Sequence, residues 1–222
     1  MGTVEVVENF VSINGEGRRA GELAVFLRMK GCNLQCSYCD TTWANEKDAD
    51  FTPMTKEELY AYVKKTKVKN VTITGGEPLL QKNILEVLEY FAKDENLRVE
   101  IETNGSVDLK PFAALEHAPS FTVDYKCPGS GMCQHMCLDN FSILTEKDTV
   151  KFVVGSREDL EAAKTVIENY KLQNRVAIYF SPVFGRIEPE EIVTFLIENQ
   201  LNDVKLQLQL HKYIWDPQKR GV

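Results

Sequence analysis

The chain has 222 residues, enough for one domain with a large core, and its 43% hydrophobic and 27% charged content excludes a disordered or collagen-like protein. A net charge of -7 argues against a general nucleic-acid binder, which carries a basic excess on one face. No apolar run approaches the roughly 20 residues of a membrane span, and the opening MGTVEVVENF lacks a secretory signal, so a cytoplasmic protein without membrane or nucleic-acid partners is expected.

Short β-branched or apolar runs alternate with helical patterns along the chain. The first expected strand is AVFLRM at 24–29. A helix begins after Thr55, where Glu58 completes a capping-box signature ahead of LYAYVKK. A strand at 70–74, a helix over about 82–93 and strands at 98–103 and 121–125 follow. A loop-like insertion, CPGSGMCQHMCLDN, covers 127–140. Beyond it the pattern gives a strand at 149–154, a helix over 157–171, a strand at 175–180, a helix over 188–199 opening near Pro189, and a strand at 204–209. Such alternation implies parallel strands joined by crossover helices. Six or seven strands fall short of a closed eight-stranded barrel. The expected fold is therefore α/β, a partial (open) TIM-like β/α barrel, as a single domain over 1–222. Ligands gather at the carboxyl ends of strands in such folds, and Cys32, Gly75, Asn104, Lys126 and Ser181 each follow a predicted strand.

The six cysteines form two groups, Cys32, Cys36, Cys39 and Cys127, Cys133, Cys137. In a reducing compartment such groups are metal ligands or reactive thiols rather than disulfides. The first group is a C-x3-C-x2-C run, whose tight spacing lets one loop wrap one iron–sulfur cluster. Three ligands leave one metal position open, as catalytic sites do and structural zinc sites usually do not. The second group, C-x5-C-x3-C, is a poor match to known cluster spacings; it reads as free thiols on a mobile loop, with an auxiliary cluster as the alternative. His117 and His135 carry no assignment. At the end of the 70–74 strand stands Thr74-Gly-Gly-Glu-Pro78, where the glycines permit close backbone approach to a ligand.

The cysteine spacing, with Tyr38 just before the last cysteine, resembles the radical S-adenosylmethionine (SAM) superfamily, and Gly75-Gly-Glu-Pro78 resembles that superfamily's GGEP motif. The resemblance implies a 4Fe-4S cluster on Cys32, Cys36 and Cys39, with SAM bound at the open iron. It also implies an electron donor such as flavodoxin or ferredoxin. Reductive cleavage of SAM then yields a 5′-deoxyadenosyl radical that abstracts a hydrogen from substrate, the cofactor carrying the hard chemistry.

Four further segments resemble the 7-carboxy-7-deazaguanine synthase family: FVSINGEG at 10–17, FLR at 26–28, CDT at 39–41 and LQLHKY at 208–213. The resemblance spans essentially the whole chain. It implies a lyase that contracts the ring of 6-carboxy-5,6,7,8-tetrahydropterin, with loss of ammonia, in queuosine and deazapurine biosynthesis; Mg2+ and a homodimer are implied as well. Carried over by position, Ile13, Asn14, Gly15, Arg28, Thr74, His211 and the terminal Val222 contact the pterin, Arg28 pairing with its carboxylate. Thr41 ligates Mg2+. Gly76, Glu77, Glu102, Asp124, Tyr125, Lys126, Ser181, Pro182, Val183 and Phe184 line the SAM site. Plain readings stand beside these: a turn at Gly15 and Gly17, a snorkelling Arg28 and a helix cap at Thr41. The family often has Ser-Pro-Lys where this chain has Asp124-Tyr-Lys126. Two rivals are a glycyl-radical-enzyme activase, which needs neither Arg28 nor the tail motif, and an iron–sulfur electron carrier, which leaves the open iron unexplained.

Overall fold

All seven runs expected as strands become neighbouring parallel strands of one sheet in the computed structural model, which describes residues 2–222. They are β2 (Leu23–Met29), β4 (Asn70–Gly75), β5 (Arg98–Thr103), β6 (Ser120–Tyr125), β7 (Thr149–Val154), β8 (Ala177–Pro182) and β9 (Val204–Leu206). Two strands were not foreseen. Strand β1 (Thr3–Ile13) pairs antiparallel with β2, and β3 (Thr52–Thr55) pairs antiparallel with β1, giving the order β3-β1-β2-β4-β5-β6-β7-β8-β9. An irregularity between Val6 and Glu8 breaks the alternation of β1, and Pro53 sits in β3, where only an edge strand tolerates it. With β3 and β9 as its two edges, the sheet is a partial, open barrel.

The helices are α1 (Thr42–Asn45), α2 (Lys56–Thr66), α3 (Ile84–Phe91), α4 (Lys110–Ala113), α5 (Arg157–Asn169), α6 (Pro189–Glu198) and α7 (His211–Ile214). The Thr55–Glu58 capping box that starts α2 is present in both directions. Alternate residues of each strand face opposite sides of the sheet. One set, including Leu27, Ile73, Ile101, Val123, Phe152 and Phe180, packs with Leu59, Val63, Phe91, Leu160, Ile192 and Phe195 of the helices. The other set lines the barrel interior and is polar: Arg28, Thr72, Glu100, Thr122, Asp124, Lys151 and Ser181. Burying so many polar groups costs stability unless each finds a partner. Their arrangement therefore marks a site rather than a core.

The 127–140 insertion is not a loose loop. It forms short 3-10 turns at Pro128–Ser130, Cys133–His135 and Leu138–Ser142, with Ser130 and Asn140 fully buried. Asn140 fixes it by donating to the carbonyls of Gly105 and Val107 and accepting from the Leu109 N–H.

Candidate active site at the barrel mouth

Strand β2 delivers the chain to Gly31, whose φ of +86° suits glycine and turns the backbone into the cysteine loop. Cys32, Cys36 and Cys39 are half-buried on that loop. The Leu34 N–H points at Cys32 Sγ (3.4 Å), and the Cys39 N–H at the Cys36 carbonyl (3.2 Å). The insertion braces the loop from behind: Ser37 donates through its N–H to Ser130 O (3.0 Å) and through its hydroxyl to Gly129 O (2.7 Å). Tyr38 donates to Val153 O and Arg186 to Ser37 O. The segment left without a role in the sequence is thus a scaffold. All six cysteines are free of disulfides.

The donor set fits a multi-iron cluster. Three half-buried free thiols stand on one short loop, and in a cluster each thiolate takes a different iron. Burial pushes the Cys32 and Cys36 thiols up, so a bound cation is what would stabilise their thiolates.

The GGEP turn sits directly against this loop. Gly76 donates to Met29 O and Glu77 to Gly31 O (2.8 Å). A Cβ on Gly76 would run into Gly31 O and Asn45 Oδ1, so only glycine fits. Glu77 departs from the sequence expectation: its side chain is 0% exposed and turned into the protein. Its carboxylate accepts the N–H groups of Leu79 (3.0 Å) and Asn104 (2.7 Å) and the Thr103 hydroxyl (2.9 Å). It braces the ends of β4 and β5 instead of offering itself to a ligand.

Burial pushes the Glu77 carboxyl up to about 7, against the pull of its three donors and Lys126. A raised carboxyl pKa means that the folded state keeps a proton the unfolded chain releases above 4.5. The associated stability is complete below 4.5 and lost as pH rises through 7. Between pH 5 and 8 the cluster-free protein should lose on the order of 3 kcal/mol from this group. Urea unfolding of Glu77→Gln should show that part of the pH slope removed; identical slopes in parent and variant refute it.

Across the mouth, Arg28 donates through Nε to Glu8 Oε1 at 2.7 Å, directly opposite it in the β1–β2 register. That bond fixes the guanidinium plane and leaves the terminal nitrogens to face a planar acceptor. Asn14 is buried with Oδ1 accepting from Thr72 (2.8 Å) and Nδ2 without a partner. Glu16 binds three elements at once. Its carboxylate accepts from Ser181 (2.8 Å), Lys151 (3.2 Å) and Gln209 (3.1 Å). Lys151 also lies 3.6 Å from Asp124, which pairs with Lys126 at 3.0 Å and keeps a buried Oδ1 unpartnered. Burial opposes the charges on Glu16, Lys126 and Lys151, but their partners more than offset it, so all three stay charged.

The tail closes the barrel laterally. Gln207 exchanges two hydrogen bonds with Gly17, and the Leu210 N–H donates to Gly15 O (3.1 Å). His211 lies so close that a Cβ on Gly15 would fall 2.5 Å from its Nδ1. Burial lowers the His211 pKa below 6.5 despite Glu16 nearby. The two terminal motifs, remote in sequence, form one wall. Arg220 stacks over Trp43 at 4.2 Å, bringing the end of the chain back to α1 near the cysteine loop, with Val222 half-buried.

The chain is 58% identical over 218 residues to a 7-carboxy-7-deazaguanine synthase from Clostridium acetobutylicum, spanning 98% of this chain and 99% of that one. The chain belongs to the 7-carboxy-7-deazaguanine synthase family. A synthase of the same name from Chlorobaculum tepidum is 37% identical, over 99% and 97% of the two chains. The radical SAM superfamily model matches residues 26–125. The crystal structure of QueE from Escherichia coli shares the fold, with a TM-score of 0.76 and 21% identity, over 93% of this chain and 94% of that one. The protein is therefore a radical SAM enzyme, and that superfamily carries a 4Fe-4S cluster and SAM and takes an electron donor. Neither the activase nor the electron-carrier reading is favoured. No helix among the described residues is long and apolar enough to cross a membrane.

The other expected site residues distribute unevenly in this family member. Thr74 faces the mouth from β4 and Ser181 from β8, while Gly76 follows β4 and lies against Gly31 and Asn45. Glu102 shares the inward parity of Thr122. Pro182 ends β8, Val183 is buried and donates to Val154 O (2.7 Å), and Phe184 is 52% exposed beneath Lys212. Tyr125 points away, its ring packed on Phe141 and Phe152, so only its backbone can reach the mouth. The Thr41 hydroxyl makes no capping bond to α1 and lies 3.7 Å from Cys39 Sγ, which removes the plain cap reading. Sequence reasoning missed Glu16, Lys151 and Asn45. The available signal was a charged residue between two glycines for Glu16 and within an apolar run for Lys151; Asn45, in TTWANEKD, carries no such signal. A cavity of about 410 Å³ lies at the amino ends of β5 and β6, between Arg19, Arg98 and His117, away from the motif residues.

Proposed function

We propose that this enzyme converts 6-carboxy-5,6,7,8-tetrahydropterin to 7-carboxy-7-deazaguanine with loss of ammonia. The observation that carries the reading is the meeting of the two terminal motifs, Gly15 against Leu210 and His211, with Lys212 of the tail paired to Asp40 beside Cys39. In this reading Cys32, Cys36 and Cys39 hold the cluster, and Gly76, Asp124, Lys126 and the 181–184 strand end hold SAM. When bound, the cluster and SAM supply the radical that takes a hydrogen from substrate. The chain's own residues bind, orient and keep the site dry. Arg28 takes the substrate carboxylate as a planar fork. Asn14 Nδ2 offers a buried donor to a ring acceptor, with Ile13, Gly15 and Thr74 shaping the slot. His211, neutral through burial, offers an unprotonated ring nitrogen for the proton movements that ammonia loss requires. Thr41 supplies a hydroxyl oxygen suited to a hard cation such as Mg2+.

The test is anaerobic reconstitution followed by incubation with 6-carboxytetrahydropterin, SAM, Mg2+ and dithionite. A new ultraviolet-absorbing deazapurine and ammonia are expected; SAM cleavage without them overturns the substrate assignment. Arg28→Ala should raise the KM for the pterin about 10–100-fold, the worth of one charge-assisted pair, while iron content stays at the parent level. An unchanged KM refutes the role given to Arg28.

A further inference from the structure

We propose that Asn104 is a positioning residue that sets the reduction potential of the iron–sulfur centre, by donating a side-chain N–H hydrogen bond to the sulfur of Cys32. The inference rests on the cluster ligation proposed for Cys32 and goes beyond it. Asn104 follows β5 and is 6% exposed. Its Nδ2 lies 3.5 Å from Cys32 Sγ and 3.1 Å from Asn33 Oδ1. The orientation of the amide is fixed, because Oδ1 accepts the Ser106 N–H at 2.9 Å and so turns Nδ2 toward the cysteine loop. The backbone is fixed as well: the Asn104 N–H and the Thr103 hydroxyl both donate to the buried Glu77. Glu77 in turn donates through its own N–H to Gly31 O, next to Cys32. One brace therefore sets the distance between the GGEP turn, the amide and the cysteine sulfur.

A donor aimed at a cluster thiolate withdraws electron density and favours the more negative, reduced state, so it raises the potential. Cys32 takes a second N–H from the Leu34 backbone, which no side-chain substitution removes. Cys39 is approached by the Thr41 hydroxyl at 3.7 Å and by Asn45 Nδ2 at 4.0 Å, both longer than the 3.5 Å from Asn104 to Cys32. Asn104 makes the shortest side-chain approach to a sulfur of the trio and is the residue assigned the tuning role.

The experiment is an EPR-monitored redox titration of reconstituted parent, Asn104→Ala, Asn104→Ser and Asn33→Ala. Both Asn104 variants should hold the parent's iron content and show a more negative midpoint potential. Asn33→Ala removes the other partner of the same amide but keeps the N–H to sulfur bond, and its potential should match the parent. Equal potentials in parent and Asn104→Ala overturn the proposal, as does an equal drop in Asn33→Ala. Where neither Asn104 variant assembles a cluster, the parent decides. With asparagine side chains labelled with 15N, electron–nuclear double resonance of the reduced cluster should show a coupled 15N and an exchangeable proton, retained in Asn45→Ala. Their absence overturns the proposal. A parent without any cluster sinks the Cys32 assignment and the Asn104 role together; a parent with a cluster and unmoved potentials sinks only the latter.

Discussion

Gly76→Ala should lower SAM cleavage by more than about 100-fold and reduce the iron held after reconstitution, although the chain still folds. The reason is steric and local. The φ of Gly76 is not in the left-handed region, so alanine meets no backbone strain of its own. Its Cβ instead meets Gly31 O and Asn45 Oδ1. Asn45 could swing aside, but Gly31 is backbone, adjoins Cys32 and accepts the Glu77 N–H. To admit one methyl group the two loops must part. That moves the first cysteine away from the turn that faces the proposed SAM site. Overpacking of this kind costs typically 1–3 kcal/mol, small against global stability but spent wholly on the geometry between the cysteine loop and the GGEP turn. Gly131→Asn is the contrasting case, with open space around it and a φ of +73° that asparagine tolerates. It lies in the 127–140 scaffold that braces the same cysteine loop and should change 5′-deoxyadenosine formation by less than about two-fold. Comparable losses in the two variants would show that the contact between the loops is not what matters.

The parallel sheet and the cysteine loop were legible in the sequence for simple reasons. A strand buried on both faces, such as TVKFVV in β7, has to be a continuous apolar run, broken only where a residue faces the site. Lys151 is that break. The cysteines were legible because their spacing is a geometric requirement of the cluster. Three things were hidden. Strand β1 carries its irregularity in the middle, and β3 is an edge strand of four residues with a proline, so neither shows a clean alternation. The inward turn of Glu77 and the outward turn of Tyr125 depend on one-residue parity at a strand end, which motif matching does not carry. The scaffold role of 127–140 depends on hydrogen bonds between residues about 90 positions apart, as from Ser37 to Gly129.

Hidden too was the residue with the largest expected effect on stability. Glu16→Ala should destabilise the cluster-free protein by about 3–5 kcal/mol, the usual cost of removing one partner of a buried ion pair. For a chain of this size that lowers Tm by roughly 6–20 °C. The loss arises less from the bonds Glu16 makes than from what it leaves behind. Lys151 would stay buried with only Asp124 at 3.6 Å, and Asp124 is already shared with Lys126 at 3.0 Å. Two cations would then divide one carboxylate. Replacing the orphaned lysine should therefore recover stability. Lys151→Met in the Glu16→Ala background restores the Asp124–Lys126 pair as a balanced unit, so the double variant should be more stable than Glu16→Ala alone. Simple addition of the two single losses would show that the network is not coupled.

The pH dependence supplies an independent reading of the same group. Burial alone would raise the Glu16 pKa, but Lys151, Gln209 and Ser181 more than offset it and hold the carboxyl below 4.5. A depressed carboxyl contributes stability that is present above its unfolded value and lost as pH falls through the folded one. The stability gap between parent and Glu16→Gln should therefore be constant from pH 6 to 8 and shrink on acidification below about 4.5. Glu16 also holds Ser181 on the strand proposed to bear SAM and Gln209 on the tail that carries His211. Loss of its charge should loosen the wall that His211 forms against Gly15, so in the loaded enzyme the pterin KM rises more than kcat falls. A variant that loses Tm with an unchanged pterin KM would separate the ion-pair network from the site and confine Glu16 to the fold.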